Sequence, residues 1–152
     1  MNHEHINFEG ASSSVAVVGA GYWGKNLVRN FAELGALAAV CDSYVERLES
    51  FKHAYSGVKL VRAYSDVLRD DTIQAVAIAT PAESHAGAVR EALLAGKDVF
   101  VEKPLCLSVK EGAELVALAK KHDRILMVGH LLWYHPAVLK LKELIRAGEL
   151  GR

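Results

Sequence analysis

The residues best suited to chemistry in this chain begin with three glycines. Val17-Val18-Gly19-Ala20-Gly21-Tyr22-Trp23-Gly24 has the spacing G-x-G-x-x-G at the close of a β-rich apolar run, Val15 to Val18. Gly19 permits a tight turn there, Gly21 lets a pyrophosphate approach the backbone with no Cβ in the way, and Gly24 lets the next helix lie close to the sheet. A helix opening at that point offers free N–H groups and a partial positive charge to phosphates. Tyr22 and Trp23 stand inside the loop and join the glycines as candidates for contact with a dinucleotide, although Trp23 equally suits packing at the rim. Asp42 ends the next apolar run eighteen residues after Gly24, near the spacing of an acid that accepts hydrogen bonds from an adenosine ribose. Such a carboxylate repels a 2′-phosphate, and no arginine directly follows it; Arg47 lies further along, on the next helix. The pattern favours NAD(H) over NADP(H). FAD-binding proteins share the glycine spacing. The bland alternative, a plain strand–helix turn with Asp42 as an ordinary helix cap, requires strand, glycines, helix and acid to coincide by accident.

The elements around these residues are legible from apolar periodicity. Six short runs, Val15–Val18, Leu37–Val40, Val58–Val61, Ala75–Ala79, Val99–Val101 and Ile125–Val128, are apolar apart from Lys59, as strands buried on both faces are. Between them come amphipathic stretches. Trp23, Leu27, Phe31 and Leu34 recur at helical steps, with Gly35 placed for a left-handed cap. Further helices are expected from about Tyr44 to Tyr55, after Pro81 to Gly96, from Val109 to Lys121 and from Pro136 to Ala147. Ser43–Glu46, Thr80–Glu83 and Ser108–Glu111 each match the capping box, and Pro81 is expected at a first helical position. Strands alternating with helices of this length predict an α/β domain with a doubly wound parallel sheet of about six strands, in the order 3-2-1-4-5-6. Residues 1–13 read as a flexible arm and 14–152 as one dinucleotide-binding domain.

Ligands of such sheets lie across the carboxyl ends of the strands. Thr80-Pro81, Glu102-Lys103-Pro104 and Gly129-His130 occupy those ends. The sequence Val-Glu102-Lys103-Pro104-Leu, with Ala79-Thr80-Pro81-Ala-Glu-Ser-His85 upstream, resembles the Gfo/Idh/MocA oxidoreductase family, from Val15 to the end of the chain. The resemblance implies a Rossmann-type fold and hydride transfer between a nicotinamide cofactor and a sugar, cyclitol or sugar nucleotide. By position it implies that Gly19, Gly21 and Gly24 hold the pyrophosphate and Asp42 the adenosine ribose. Thr80 and Pro81 would line the nicotinamide-side ribose, with His85 one turn further on, either at the cleft or facing solvent. Glu102 would lie along the cofactor, and Lys103 would reach nicotinamide and substrate as the catalytic group, after a Lys-Pro bond that is often cis in the family. An ammonium at a strand end can polarise a carbonyl or steer a proton on physical grounds alone. Its bland reading is a surface lysine paired with Glu102. The segment from Gly129 to Pro136 looks most like sugar-nucleotide 3-dehydrogenases, UDP-N-acetylglucosamine types among them. Trp133 and Tyr134 stand where many members carry an arginine and an aromatic residue.

Composition narrows the remaining possibilities. The 152 residues carry 18 Lys+Arg against 18 Asp+Glu, and half are apolar. Zero net charge without a basic block argues against nucleic acid as a partner. No apolar run approaches the ~20 residues of a membrane span, and no signal peptide is visible, so a cytoplasmic location is expected. Cys41 and Cys106 form no CxxC; Cys41 reads as a small buried hydrophobe and Cys106 as a thiol of low reactive promise. His130 and His135 have no converging carboxylate or cysteine, so no metal is expected. Family members carry a second, substrate-binding domain after this one. Its absence here implies a chain that binds NAD(H) but turns over little alone. Leu131, Leu132, Trp133 and Leu139 would then lie exposed and favour a homo-oligomer. A stand-alone NAD(H) sensor or scaffold is the alternative, against which Lys103 argues.

Overall fold

In the computed structural model, residues 14–151 are described; the expected arm at 1–13 lies outside them. Six strands form one sheet in the order β3-β2-β1-β4-β5-β6, and every pair is parallel. They are β1 (Val15–Val18), β2 (Leu37–Cys41), β3 (Lys59–Val61), β4 (Ala75–Ile78), β5 (Asp98–Val101) and β6 (Leu126–Val128). The helices are α1 (Gly24–Glu33), α2 (Val45–Glu49), α3 (Tyr64–Arg69), α4 (Ala82–Leu94), α5 (Val109–Lys121) and α6 (Pro136–Arg146).

The continuous apolar runs have a direct cause. Side chains alternate across a strand, and here each side meets its own core. Ala16, Val18, Val76, Ile78, Val99 and Val101 pack with Val67 of α3, Val89 and Leu93 of α4 and Leu115 of α5. On the other face Val17, Val40 and Ala77 pack with Leu27 and Val28 of α1 and with Leu48 and Phe51. With neither face left to water, no position in the central strands calls for a polar residue. Gly35 ends α1 at φ +68°, the expected left-handed cap.

The local details differ from the expectation in four places. Of the three expected capping boxes, only Ser108 caps its helix, its side chain accepting from the Glu111 amide. At Ser43 the equivalent job falls to Asp42, whose Oδ1 accepts from the Tyr44 amide at 2.9 Å. The Thr80 hydroxyl instead accepts from Ser84 Oγ at 2.8 Å, and Pro81 is the extended residue before α4 rather than its first helical one. The helix expected to reach Tyr55 ends at Glu49 and continues as turns. Finally, α3 and a 3₁₀ turn at Leu131–Tyr134 are elements too short to show a period.

Candidate dinucleotide cleft

β1 and β4 are neighbours at the centre of the sheet, and the chain leaves them toward opposite flanks. This is the switch point at which doubly wound sheets open a crevice beyond their strand ends. The structure brings five of the predicted residues there. A cleft of about 540 Å³ is lined by Gly19, Gly21, Asp42, Thr80 and Pro81, together with Arg47 and Arg62.

The glycine loop is built for closeness. Gly19 has φ +91°, and a Cβ on it would stand 2.8 Å from the Ala79 carbonyl and the Thr80 nitrogen. A Cβ on Gly24 would overlap the Gly19 carbonyl, so this glycine chiefly lets α1 close on its own loop. Gly21 has open space where a Cβ would sit, and it borders the cleft. The first backbone bond into α1 runs from the Lys25 amide to the Gly21 carbonyl at 3.1 Å. Among the described residues, no bond takes the amides of Gly21, Tyr22, Trp23 or Gly24. These are the orphan donors of a helix start, and the first turn of α1 holds no acidic residue to occupy them. A phosphate fits this chemistry. Tyr22 projects into solvent, 90% exposed.

Asp42 is buried and already engaged. Its Oδ2 accepts from the Ala20 amide at 2.8 Å and from Arg47 at 3.2 Å, and its Oδ1 accepts from the Tyr44 amide. It therefore ties the glycine loop to the end of β2. A carboxylate has about four lone-pair positions, so Oδ1 retains one for a ribose hydroxyl. Arg47, set aside in the sequence because it does not follow Asp42 directly, folds back from α2 onto it and lies 4.4 Å over the Tyr44 ring. No motif in the sequence marks Arg62. The pairing of Cys41 with Val61 in adjacent strands brings it beside Asp42, a proximity no local motif encodes. Cys41 below them is buried: burial first, then Asp42 and Asp66, pushes its thiol up to about 11.

The other strand ends form the second half of the crevice. Glu102 is buried and accepts a hydrogen bond from Trp23 Nε1, a link from the glycine loop across to β5. Gly129 leaves room for that carboxylate; a Cβ there would press to 3.3 Å from both its oxygens. Lys103 is exposed and makes no ion pair among the described residues, so the surface pair with Glu102 does not form. It borders a recess of about 290 Å³ with Thr80 and His85, and an apolar one of about 720 Å³ with Trp23, Leu132 and Trp133. The Lys103–Pro104 bond is cis.

His85 is 1% exposed, which excludes the solvent-facing alternative. Its Nδ1 lies 2.6 Å from the Pro104 carbonyl oxygen and its Nε2 2.8 Å from that of Thr80. Carbonyl oxygens only accept, so the ring is the donor side of these contacts. The ring is a strut between the ends of β4 and β5, holding the segments that carry Thr80 and Lys103. His135 Nδ1 accepts from the Ala137 amide at the start of α6, an ordinary cap. Cys106 donates to the Ser108 carbonyl at 3.1 Å beside the start of α5.

A parallel six-stranded sheet with a glycine loop at its switch point defines a dinucleotide-binding α/β domain. Residues 13–130 match the family model described as "Oxidoreductase family, NAD-binding Rossmann fold", and the chain belongs to this Gfo/Idh/MocA family. It is 36% identical over 142 residues to scyllo-inositol 2-dehydrogenase (NAD(+)) of Bacillus subtilis, covering 90% of this chain and 41% of that protein. It is 29% identical to UDP-N-acetylglucosamine 3-dehydrogenase of Acidithiobacillus ferrooxidans, over 84% of this chain and 40% of that one. The fold matches scyllo-inositol dehydrogenase from Lactobacillus casei with bound NAD(H) and scyllo-inositol (TM-score 0.81, 26% identity, 92% of this chain and 42% of that one). It also matches a 3-ketoreductase from Actinomadura kijaniata in complex with NADP and TDP-benzene (TM-score 0.82, 25% identity, 90% and 43%). The chain thus spans about 40% of the length of the curated relatives it matches. No helix among the described residues is long and apolar enough to cross a membrane.

Proposed function

We propose that this chain is the cofactor-binding half of an oxidoreductase that moves a hydride between NAD(H) and a cyclitol, sugar or sugar nucleotide. The observation that carries the reading is the row of uncommitted amides from Gly21 to Gly24 at the mouth of a cleft that Asp42 closes on one side. In this reading the loop amides hold the diphosphate, and Asp42 receives the adenosine ribose on the free position of Oδ1. Thr80 and Pro81 flank the nicotinamide-side ribose, with His85 fixing the Thr80 carbonyl. The bound nicotinamide supplies or accepts the hydride. Lys103, unpaired at the strand end, polarises the substrate oxygen or steers its proton. A free ammonium aimed at the crevice favours chemistry over a pure sensor. The names of the relatives support cyclitols and sugar nucleotides as the substrate class. The chain is proposed to be cytoplasmic and to self-associate through the exposed Leu131, Leu132, Trp133 and Leu139.

Calorimetric titration with NAD⁺ tests the cleft. Asp42→Asn keeps the shape but weakens acceptance of ribose hydroxyls, and is expected to cost about tenfold in affinity, a loss of about 1.4 kcal/mol. Native-like circular dichroism of the variant with unchanged binding would refute the ribose contact.

A further inference from the structure

The glycine loop is anchored from both sides by acids that follow strand ends. On one side Asp42 Oδ2 accepts from the Ala20 amide at 2.8 Å. On the other, Trp23 Nε1 donates to Glu102 Oε1, across 79 residues of chain. Glu102 is 7% exposed, in a space that Gly129 leaves open for both of its carboxyl oxygens. At the tip of the loop Gly21 has no atom within 4 Å of where a Cβ would stand, and Tyr22 projects into solvent. Trp23 supplies the anchor that these two do not. It is also the residue at which α1 begins, and its carbonyl receives the amides of Asn26 and Leu27. Its indole is thus a lever on the same backbone that carries the uncommitted amides of Tyr22, Trp23 and Gly24. Neither Trp23 nor Glu102 lines the cleft with Gly21 and Asp42; both line the two recesses beside Lys103.

We propose that Trp23 and Glu102 are positioning residues: the indole, seated on the buried carboxylate, sets the loop amides for the diphosphate and couples that grip to the turn carrying Lys103. The inference rests on the reading that these amides hold a diphosphate. Amides that receive an anion must hold their directions before it arrives, because ordering a loop on binding costs affinity. A hydrogen bond to a carboxylate suits that task, being stronger than one between neutral groups. Removing the indole N–H leaves a buried acceptor without its donor, so the bond is costly to break. Glu102 immediately precedes Lys103, so a displacement of the lysine turn reaches the loop through the same bond.

Titration with ADP isolates the effect, because ADP has the diphosphate but no nicotinamide half to meet Glu102 directly. Trp23→Phe removes the N–H and keeps most of the packing, whereas Glu102→Leu removes the acceptor. Each is expected to weaken ADP binding about tenfold. The double variant should lose no more than either single one, the signature of two residues acting through one bond. Glu102→Gln keeps an acceptor oxygen and should restore most of the affinity that Glu102→Leu loses. The chain has two tryptophans, so the Trp23 indole N–H resonance is assigned by its disappearance in Trp23→Phe. Without any ligand it should move in Glu102→Leu and exchange faster with deuterated water. Where Glu102→Leu fails to fold by circular dichroism, Trp23→Phe carries the test on its own. Unchanged ADP affinity in the folded variants would overturn the proposal, as would losses that simply add. Failure of ADP and NAD⁺ to bind the unsubstituted chain, with the indole signal still answering to Glu102→Leu, would instead sink the reading of the loop as a diphosphate site and leave the Trp23–Glu102 bond a packing contact.

Discussion

The two ends of this chain treat apolar surface in opposite ways. In the amino-terminal unit β1–α1–β2, Val17, Leu27, Val28 and Val40 are buried, and the loop between strand and helix is tied down by Asp42. In the carboxyl-terminal stretch after β6, α6 has no buried residue at all. Leu132, Trp133, Leu139 and Ile145 stand about half or more exposed. Even the face of β6 differs: Leu126 and Val128 pack against the α4–α5 side, whereas Met127, on the other face, is 42% exposed, with no helix among the described residues covering it. The amino-terminal unit is packed into a core shared with Leu48, Phe51 and Ala77. The carboxyl-terminal stretch leaves its apolar side chains uncovered among the described residues, so they are expected to contribute less to folding.

That contrast can be broken by substitution. The largest effect is expected at Gly19, where alanine meets both a left-handed φ and backbone atoms at 2.8 Å. Gly19→Ala should cost about 3 kcal/mol in urea unfolding and abolish NAD⁺ binding. A fully stable Gly19→Ala protein would contradict the described loop. Next, Leu93→Ala in the fully buried core should destabilise by about 3 kcal/mol, whereas Leu132→Ala should stay within about 0.5 kcal/mol. Equal losses at the two leucines would erase the distinction between the regions. The double variant Leu132→Ser with Trp133→Ser should then shift sedimentation toward monomer without lowering the unfolding midpoint. A species distribution identical to that of the parent chain would place the contact surface elsewhere.

The smallest effect is one of pH. The Cys41 thiol is raised from 9 to about 11 by burial and by its acidic neighbours. Because the folded state holds this proton more tightly, the unfolded chain binds fewer protons between those values. The stability is fully present below pH 9 and declines as pH rises toward about 11. Cys41→Ala should flatten that part of the stability profile. Alkylation of the native chain at pH 8 should accordingly proceed at Cys106 before Cys41.

Strand order and the glycine loop were legible because both are written in local spacing: continuous apolar runs, helical steps of three and four, and G-x-G-x-x-G with an acid at the next strand end. The misread capping boxes show where local pattern fails. Ser43 and Thr80 have the right neighbours in sequence, but Asp42 reaches the Tyr44 amide first and Ser84 occupies the Thr80 hydroxyl. Arg62 and the His85 strut were illegible for a different reason. Each stands beside a residue brought close only by strand pairing or by the meeting of two strand ends, at separations of about twenty residues in the chain. Glu102 illustrates the same point. Its adjacency to Lys103 suggests a surface pair, yet tertiary packing gives the carboxylate to Trp23, seventy-nine residues away, and the lysine has no ion pair among the described residues.

The central claim is that a dinucleotide diphosphate rests on the amides between β1 and α1. Amide-resolved NMR during titration with NAD⁺ tests it most directly. The largest shifts are predicted at Gly21, Tyr22, Trp23 and Gly24, with smaller ones at Asp42 and Thr80. Saturable shifts confined to residues 131–146, with the glycine loop unmoved, would contradict it.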